Sequence, residues 1–363
     1  MDNDSIAYYD DPPSYSTFLN KHLLGNQPAV IGPKWIDHWP ARQNWIQPLA
    51  GQGDHQPQWQ PDYEYLRRTF GQAKVQVALC DEQEFSDQKR IDMTFDEFVT
   101  QWQQPGSLHY LKDWHFAKAF PDQVMYQVPE LFADDWMNEY WLQHSEDDYR
   151  FCYMGGHGTF TPFHADVYRS YSWSCNICGI KKWTLYPPGQ EDLFKDRLGN
   201  LVYDVRHVDP EQFPQFHKAR SIVIYQRDGE TVFIPSNWFH QVENIGATIS
   251  INHNWLNATN IEKCFESMCQ DLKQVECSLS DLQETMDPFE FVTTSQHVLL
   301  LHSGWNWSTL HRLLACIEQR LRLNKDPCLQ PEVPWQLAQV QSLQARLGSF
   351  AFFSPFVESI LDR

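Results

Sequence analysis

The sequence predicts a mainly β fold with α additions, and three observations carry that prediction. Between Tyr149 and Trp255, short runs of alternating or β-branched residues recur with turn signals between them. Upstream of this stretch, helix and strand signals are mixed. Downstream of about residue 258, apolar residues recur at helical spacing instead. The expected organisation is N-terminal α+β elements over residues 1–148, a β core over 149–257 and a helical region over 258–363. Some eight short, closely spaced strands fit a sandwich or barrel and not a βαβ fold.

Residues 1 to about 25 are polar and peripheral until Phe18 to Leu24. Pro28 to Ile31 reads as a short buried strand, followed by aromatic turns through Trp35, Trp39 and Trp45. Gly51 to Pro61 is a Gln- and Gly-rich loop, and Lys74 to Leu79 alternates as a strand does. Thr94-Phe-Asp-Glu97 forms a capping box, whose two side chains satisfy exposed N–H groups and open a helix to about Trp102. Leu108 to Leu111 is the next strand, and Pro121 to Tyr140 mixes helix and loop.

Within the β core, strands are expected near 149–154, 163–167, 170–178, 181–186, 220–226, 230–234, 238–243 and 247–255. Gly179-Ile180 suits a two-residue hairpin, Pro187-Pro188-Gly189 ends the following strand, and Asn244-Ile245-Gly246 suits a second hairpin. In the last hundred residues, Ile261, Cys264, Phe265, Met268, Cys269, Leu272 and Val275 recur at helical spacing and read as core. Leu310, Leu313, Leu314, Ile317 and Leu321 do the same, after an N-cap at Ser308.

The composition bounds the function. Fifteen Trp, 15 Tyr and 23 Phe in 363 residues supply a substantial core. A net charge of −19 argues against direct nucleic-acid binding, which needs clustered Lys and Arg, and favours basic partners. No apolar run approaches a membrane span, and the acidic N-terminus lacks a signal-peptide layout. Nine scattered cysteines fit a reducing compartment, the cytoplasm by default or the nucleus. Nothing in the sequence fixes an oligomeric state.

The chemistry-bearing motif is Thr161-Pro-Phe-His164-Ala-Asp166, answered 74 residues after Asp166 by His240. Two imidazoles and one carboxylate are the ligand set of an iron(II) facial triad, which leaves coordination positions open for reaction. His-x-acid pairs arise about twice by chance in this composition, so context must choose among the three present. His144-Ser-Glu146 sits in an acidic turn, and His207-Val-Asp209 in a polar loop. His164 opens a β-rich region, where residues two apart face one side of a strand. Cys175-Asn-Ile-Cys178 looks like half a zinc knuckle, but its cysteines point to opposite strand faces and no second pair is near.

Thr161 to Asp166, Gly179-Ile-Lys181-Lys-Trp183 through Pro188, and Asn237-Trp-Phe-His240 together resemble a JmjC domain of the cupin-like oxygenases. Tyr110 to Phe116 and Trp39 to Ala41 resemble that family's N-terminal segments, so the likeness covers roughly residues 14–260. The resemblance implies a double-stranded β-helix (the cupin barrel) that holds iron(II) through His164, Asp166 and His240. It further implies 2-oxoglutarate as co-substrate, with ascorbate as a supporting reductant. Lys181 matches the family's co-substrate lysine, and Lys182 would face outward unless the expected hairpin slips by one residue. Thr161 and Tyr110 match hydroxyls that bond the same carboxylate. Asn252 and Asn254 match polar positions near the metal-bound end, and Ser174 stands where some relatives carry Asn.

The segments His164 to Phe194 and Ser250 to Trp255, with the helical tail, are most similar to the branch that hydroxylates a lysyl side chain of the translation termination factor. That implies a protein substrate with an exposed lysine. Two alternatives stand beside it: demethylation of methyl-lysine, and a non-catalytic cupin-like scaffold.

Overall fold

The computed structural model describes residues 6–49, 59–324 and 331–361. They form two compact units. The first comprises Met1–Ala133, Asp147–Asp166 and Tyr171–Asn254. The second comprises Asp134–Glu146, Val167–Ser170 and Trp255–Arg363.

The first unit is built on one large sheet. Its strands are β1 (Ala7–Tyr9), β2 (Ala29–Ile31), β5 (Lys74–Glu84), β6 (Asp87–Thr94), β7 (His109–Trp114), β8 (Arg150–Gly155) and β9 (Phe160–His164), continued by β10 (Tyr171–Tyr186), β11 (Ile222–Gln226), β12 (Thr231–Ile234) and β13 (Phe239–Trp255). The short pair β3 (Ile46–Pro48) and β4 (Trp59–Pro61) stands apart. The sheet runs β1-β2-β12-β10-β13-β8-β7-β5-β6, with β11 paired to β10 and β9 to β13. All pairings given in register are antiparallel except β1 with β2. The helix Phe95–Trp102 opens on the expected capping box, and it buries Phe95, Phe98, Val99 and Trp102.

Both hairpins expected from glycine are absent, for one physical reason. At Gly179 the chain does not reverse: β10 continues for 16 residues and exchanges partners, Ser172–Cys175 pairing with β12 and Lys181–Leu185 with β11. Gly179 stands at φ 79°, with the carbonyl oxygen of Ala247 only 2.3 Å from where a Cβ would sit. β13 likewise runs unbroken for 17 residues through Gly246, also at φ 79°. Its first part meets β9, and Thr248–His253 meet β8. Glycine here supplies left-handed backbone for a bend inside a strand, the same freedom that a hairpin would have used.

Other boundaries move as well. The strand expected at 163–167 is β9, which ends at His164, so Asp166 lies on the following loop. Of the loop expected over Gly51–Pro61, Trp59–Pro61 are strand and the remainder lies outside the described residues. β6 was not signalled in the sequence, because its run Asp87–Thr94 is polar and half exposed.

The second unit contains helices Trp136–His144, Ile261–Ser278, Pro288–Ser303, Trp307–Leu323, Val333–Gly348 and Phe353–Leu361, with a single turn at Ser280–Gln283. The two apolar faces read from spacing are buried, as at Phe265, Met268, Leu313 and Ile317, except at Cys269, which is only half-buried because it follows Met268 at the margin of the face. The cap of the helix Trp307–Leu323 is Asn306 and not Ser308: the Asn306 carboxamide accepts from the Thr309 N–H, and Ser308 falls inside the first turn. Both residue types cap well, and the earlier one wins here because Trp307 can then join the buried face.

Gly179→Ala and Gly246→Ala share about 1–2 kcal/mol of left-handed strain, but nothing lies within 4 Å of a Cβ at Gly246. Thermal melts should show Gly179→Ala the less stable, by an overpacking cost of about 1–3 kcal/mol. Equal losses would mean that the strand relaxes around the added methyl.

Candidate metal centre and its cavity

The antiparallel register of β9 and β13 sets His164 directly opposite His240. Directly opposite residues on paired strands bring their side chains together, and the two imidazole centroids are 4.4 Å apart. Each ring is held by its own strand: Nδ1 of His164 lies 2.7 Å from the carbonyl oxygen of Pro162, and Nδ1 of His240 lies 2.9 Å from that of Trp238. A carbonyl only accepts, so both Nδ1 atoms carry the proton and both Nε2 lone pairs are free for a metal. Asp166 joins them from the loop after β9, and its Oδ2 accepts from the Ser172 hydroxyl at 2.8 Å. One ligand atom from each of the three residues lies within 4.8 Å of the other two. Burial, then the neighbouring His240, push the pKa of His164 down to about 4, so the ring is neutral and ready to ligate. The donor set fits a divalent iron with open positions.

The same cavity is lined by Lys181, Thr161, Tyr110, Ser174, Asn252 and Asn254. All nine side chains singled out in the sequence therefore meet in one place, which encloses about 430 Å³ of empty space including its open mouth. Lys181 is 1% exposed and forms no ion pair among the described residues. Burial pushes its ammonium pKa down to about 7. Lys182 faces the other way and pairs with Glu243 at 3.0 Å. Thr161 and Asn244 lie beside the buried Tyr110 hydroxyl, whose pKa burial pushes up. Ser174 donates to the Asn252 side-chain oxygen at 3.0 Å. An unpaired buried cation flanked by hydroxyls fits the distal carboxylate of a dicarboxylate ligand, since burying a charge without a partner is costly.

Four further lining residues were not foreseen: Tyr153, Ser172, Trp183 and Val242. Ser172 and Trp183 lie two residues from Ser174 and Lys181 on β10, so strand alternation could have found them. Trp183 packs against His240 with ring centroids 5.5 Å apart, and its indole N–H donates to Gln226 at 2.9 Å. Tyr153 lies on β8, opposite Ser250 of β13, and only the register reveals it.

A second cluster of potential ligands, His115, Asp147 and Asp148, has a different character. Its imidazole is already shared between carboxylates, with Nδ1 2.6 Å from Asp148, and Arg150 holds the other Asp148 oxygen at 2.7 Å. The hydrogen bond that His115 donates to Asp148 raises the His115 pKa, and the group reads as an ion-pair network. His253 turns away from the cavity, stacks on Trp173 and bonds the Tyr126 hydroxyl at 2.7 Å. His157 is exposed beside Gly246. Cys175 and Cys178 are buried, and neither belongs to a metal-binding group among the described residues.

A β core of this kind with a two-histidine, one-carboxylate centre defines a cupin-like oxygenase. A family model for a cupin-like domain matches residues 15–261, and the chain belongs to that family, in its JmjC group of 2-oxoglutarate- and iron-dependent oxygenases. It is 44% identical over 84% of its length to the 2-oxoglutarate and iron-dependent oxygenase JMJD4 of Gallus gallus, 72% of which is covered. The protein of the same name from Homo sapiens is 37% identical over 87% of the chain, with 76% of the relative covered. The arginine-specific demethylase JMJ20 of Arabidopsis thaliana is 43% identical over 81% of the chain, which spans 65% of that relative. Among the described residues no helix is long and apolar enough to cross a membrane.

The buried lysine has a pH signature. Its folded pKa, about 7, lies below the ordinary 10.5, so between those values the unfolded chain binds the extra proton. Stability contributed by this site therefore rises with pH across that window, and below it the burial penalty is constant. Denaturant melts of wild type and Lys181→Met at pH 7 and pH 9 should show the variant's advantage shrinking at the higher pH. A constant difference would contradict the depressed pKa.

Proposed function

We propose that the cavity binds iron(II) through His164, Asp166 and His240 and seats 2-oxoglutarate against Lys181, and that the enzyme hydroxylates a lysyl side chain of a protein, the translation termination factor. The observation that carries the oxygenase reading is the convergence of three metal-ligand atoms and one unpaired buried ammonium in a single cavity. When bound, iron(II) and 2-oxoglutarate supply the oxidising chemistry: dioxygen converts the co-substrate to succinate and carbon dioxide and places its second oxygen atom in a C–H bond of the substrate. The chain's own residues bind, orient and shield. The Nε2 atoms of His164 and His240 and the Ser172-braced carboxylate of Asp166 would hold the metal. Lys181, Thr161 and Tyr110 would receive the distal carboxylate, and Ser174, Asn252 and Asn254 offer polar groups in the same cavity. Trp183 covers the His240 ring and keeps water from that side.

The lysyl substrate is supported by the likeness of His164–Phe194 and Ser250–Trp255 to the lysyl-hydroxylating branch, and by the net charge of −19, which attracts a basic segment. A second reading is removal of an N-methyl group, from arginine or from lysine. The likeness to the arginine-specific demethylase of Arabidopsis thaliana favours the arginine form. Hydroxylation of an N-methyl carbon would release formaldehyde, whereas hydroxylation of a methylene leaves the product heavier by one oxygen.

Fragment mass spectrometry of a translation termination factor incubated with the protein, iron(II), 2-oxoglutarate and ascorbate separates these readings. One added oxygen on the lysine of its Asn-Ile-Lys-Ser loop, absent with Asp166→Ala, is the expected result. Formaldehyde from methylated peptides without hydroxylysine would replace the hydroxylase by the demethylase. Absence of succinate under every condition would favour a non-catalytic scaffold.

The inward and outward lysines give an independent check. Lys181→Ala should raise the 2-oxoglutarate requirement about 10- to 100-fold, the worth of a charge-assisted contact. Lys182→Ala, which severs only the Glu243 pair, should change it less than about twofold. Equal effects would contradict the assigned anion seat.

A further inference from the structure

We infer that Tyr153 positions the distal carboxylate of the co-substrate by fixing the ammonium of Lys181, and that Asp113 and Arg90 serve to hold Tyr153. The inference rests on the 2-oxoglutarate reading above and extends it to residues outside the anion seat. A lysine ammonium at the end of four rotatable bonds needs something to define its place. Lys181 has no carboxylate partner among the described residues, and its ammonium lies over the face of the Tyr153 ring, 5.2 Å from the centroid. A cation over an aromatic face is attracted by the ring quadrupole, most strongly where water is excluded.

The ring is itself tied down. The Tyr153 hydroxyl donates to Asp113 Oδ1 at 2.5 Å, and Arg90 binds Asp113 Oδ2 at 2.6 Å. Arg90 also reaches Asp87 at 3.1 Å, which in turn holds the buried Lys112 at 2.7 Å. Asp113 is aimed by a backbone irregularity: it has φ 58°, and the β7–β8 register shifts between Leu111 and Trp114 around it. Bulges of this kind re-aim a side chain, and left-handed strain is retained where the surroundings demand it.

The arrangement explains why an aromatic ring stands here and not an acid. A carboxylate in place of Tyr153 would also localise Lys181, but it would neutralise the ammonium and compete with an incoming dicarboxylate. The ring holds the cation while leaving its charge for the ligand. Asp113, satisfied by Arg90 and the phenol, stays one residue removed from that competition.

Calorimetric binding to the zinc(II)-loaded protein, which performs no oxidation, tests this with two ligands. They are 2-oxoglutarate and 2-oxobutyrate, which keeps the keto acid end but lacks the distal carboxylate. Tyr153→Leu should weaken 2-oxoglutarate about tenfold, the scale of a desolvated cation–π contact, and leave 2-oxobutyrate unchanged. Tyr153→Phe and Asp113→Asn, which keep the ring, should show the same selectivity with a smaller loss, about threefold. They carry the test if Tyr153→Leu fails to fold. In a Lys181→Met background, Tyr153→Phe should add no further loss. Unchanged 2-oxoglutarate affinity in the Tyr153 variants, or equal weakening of both ligands, would overturn the positioning role while sparing the site reading. Failure of the wild-type protein to bind 2-oxoglutarate would overturn both.

Discussion

The cross-strand pairing of His164 with His240 is the contact on which the site depends. The two residues are remote in sequence, yet the β9–β13 register places them opposite each other, and the carbonyls of Pro162 and Trp238 turn both rings the same way. A slip of one residue would send one imidazole to the outer face of the strand. The sheet resists such a slip because β13 is anchored on both halves, by β9 before Gly246 and by β8 after it. The register shift between His240 and Val242 confines the irregularity to the edge of the metal-ligand pair, where a bulge can turn a side chain.

The electrostatics are arranged in two layers. Outside, acids outnumber bases by 19, and cations such as Lys182 and Arg206 are tied to Glu243 and Asp204. Inside, the order reverses: Lys181 is buried with no acid beside it, and its pKa is pushed down by that burial. A fold does not keep an uncompensated ammonium in its core without cost, so its retention points to a ligand that completes it. The strands preceding the β core belong to the same arrangement. β7 continues the sheet beyond β8, and through it Tyr110 and Asp113 reach the region of the cavity.

Much of this was legible in the residues, and the exceptions share a cause. The capping box at Thr94, the buried helix faces at Phe265 and Leu313, and the outward pairing of Lys182 follow from local rules of spacing and alternation. Gly179 and Gly246 were readable as positions of positive φ, but hairpin and bent strand use that freedom equally well. Only the neighbours decide, here the close approach of Ala247 to Gly179 and the two partners gathered by each long strand. Asn306 and Ser308 likewise compete as caps on equal local terms, and the burial of Trp307 selects the first.

The sequence by itself determined the candidate metal-ligand types, the candidate anion-binding lysine and the change from strands to helices, because each depends on residue chemistry and on periodicity along the chain. Tertiary structure decided which side chains share the cavity with them. Tyr153 carries no local signal: it enters the site because β8 lies against β13, and it meets Asp113 because β7 bulges beside it. Sheet register and bulge position are settled by packing between segments far apart in sequence, and a local pattern holds no information about that distance.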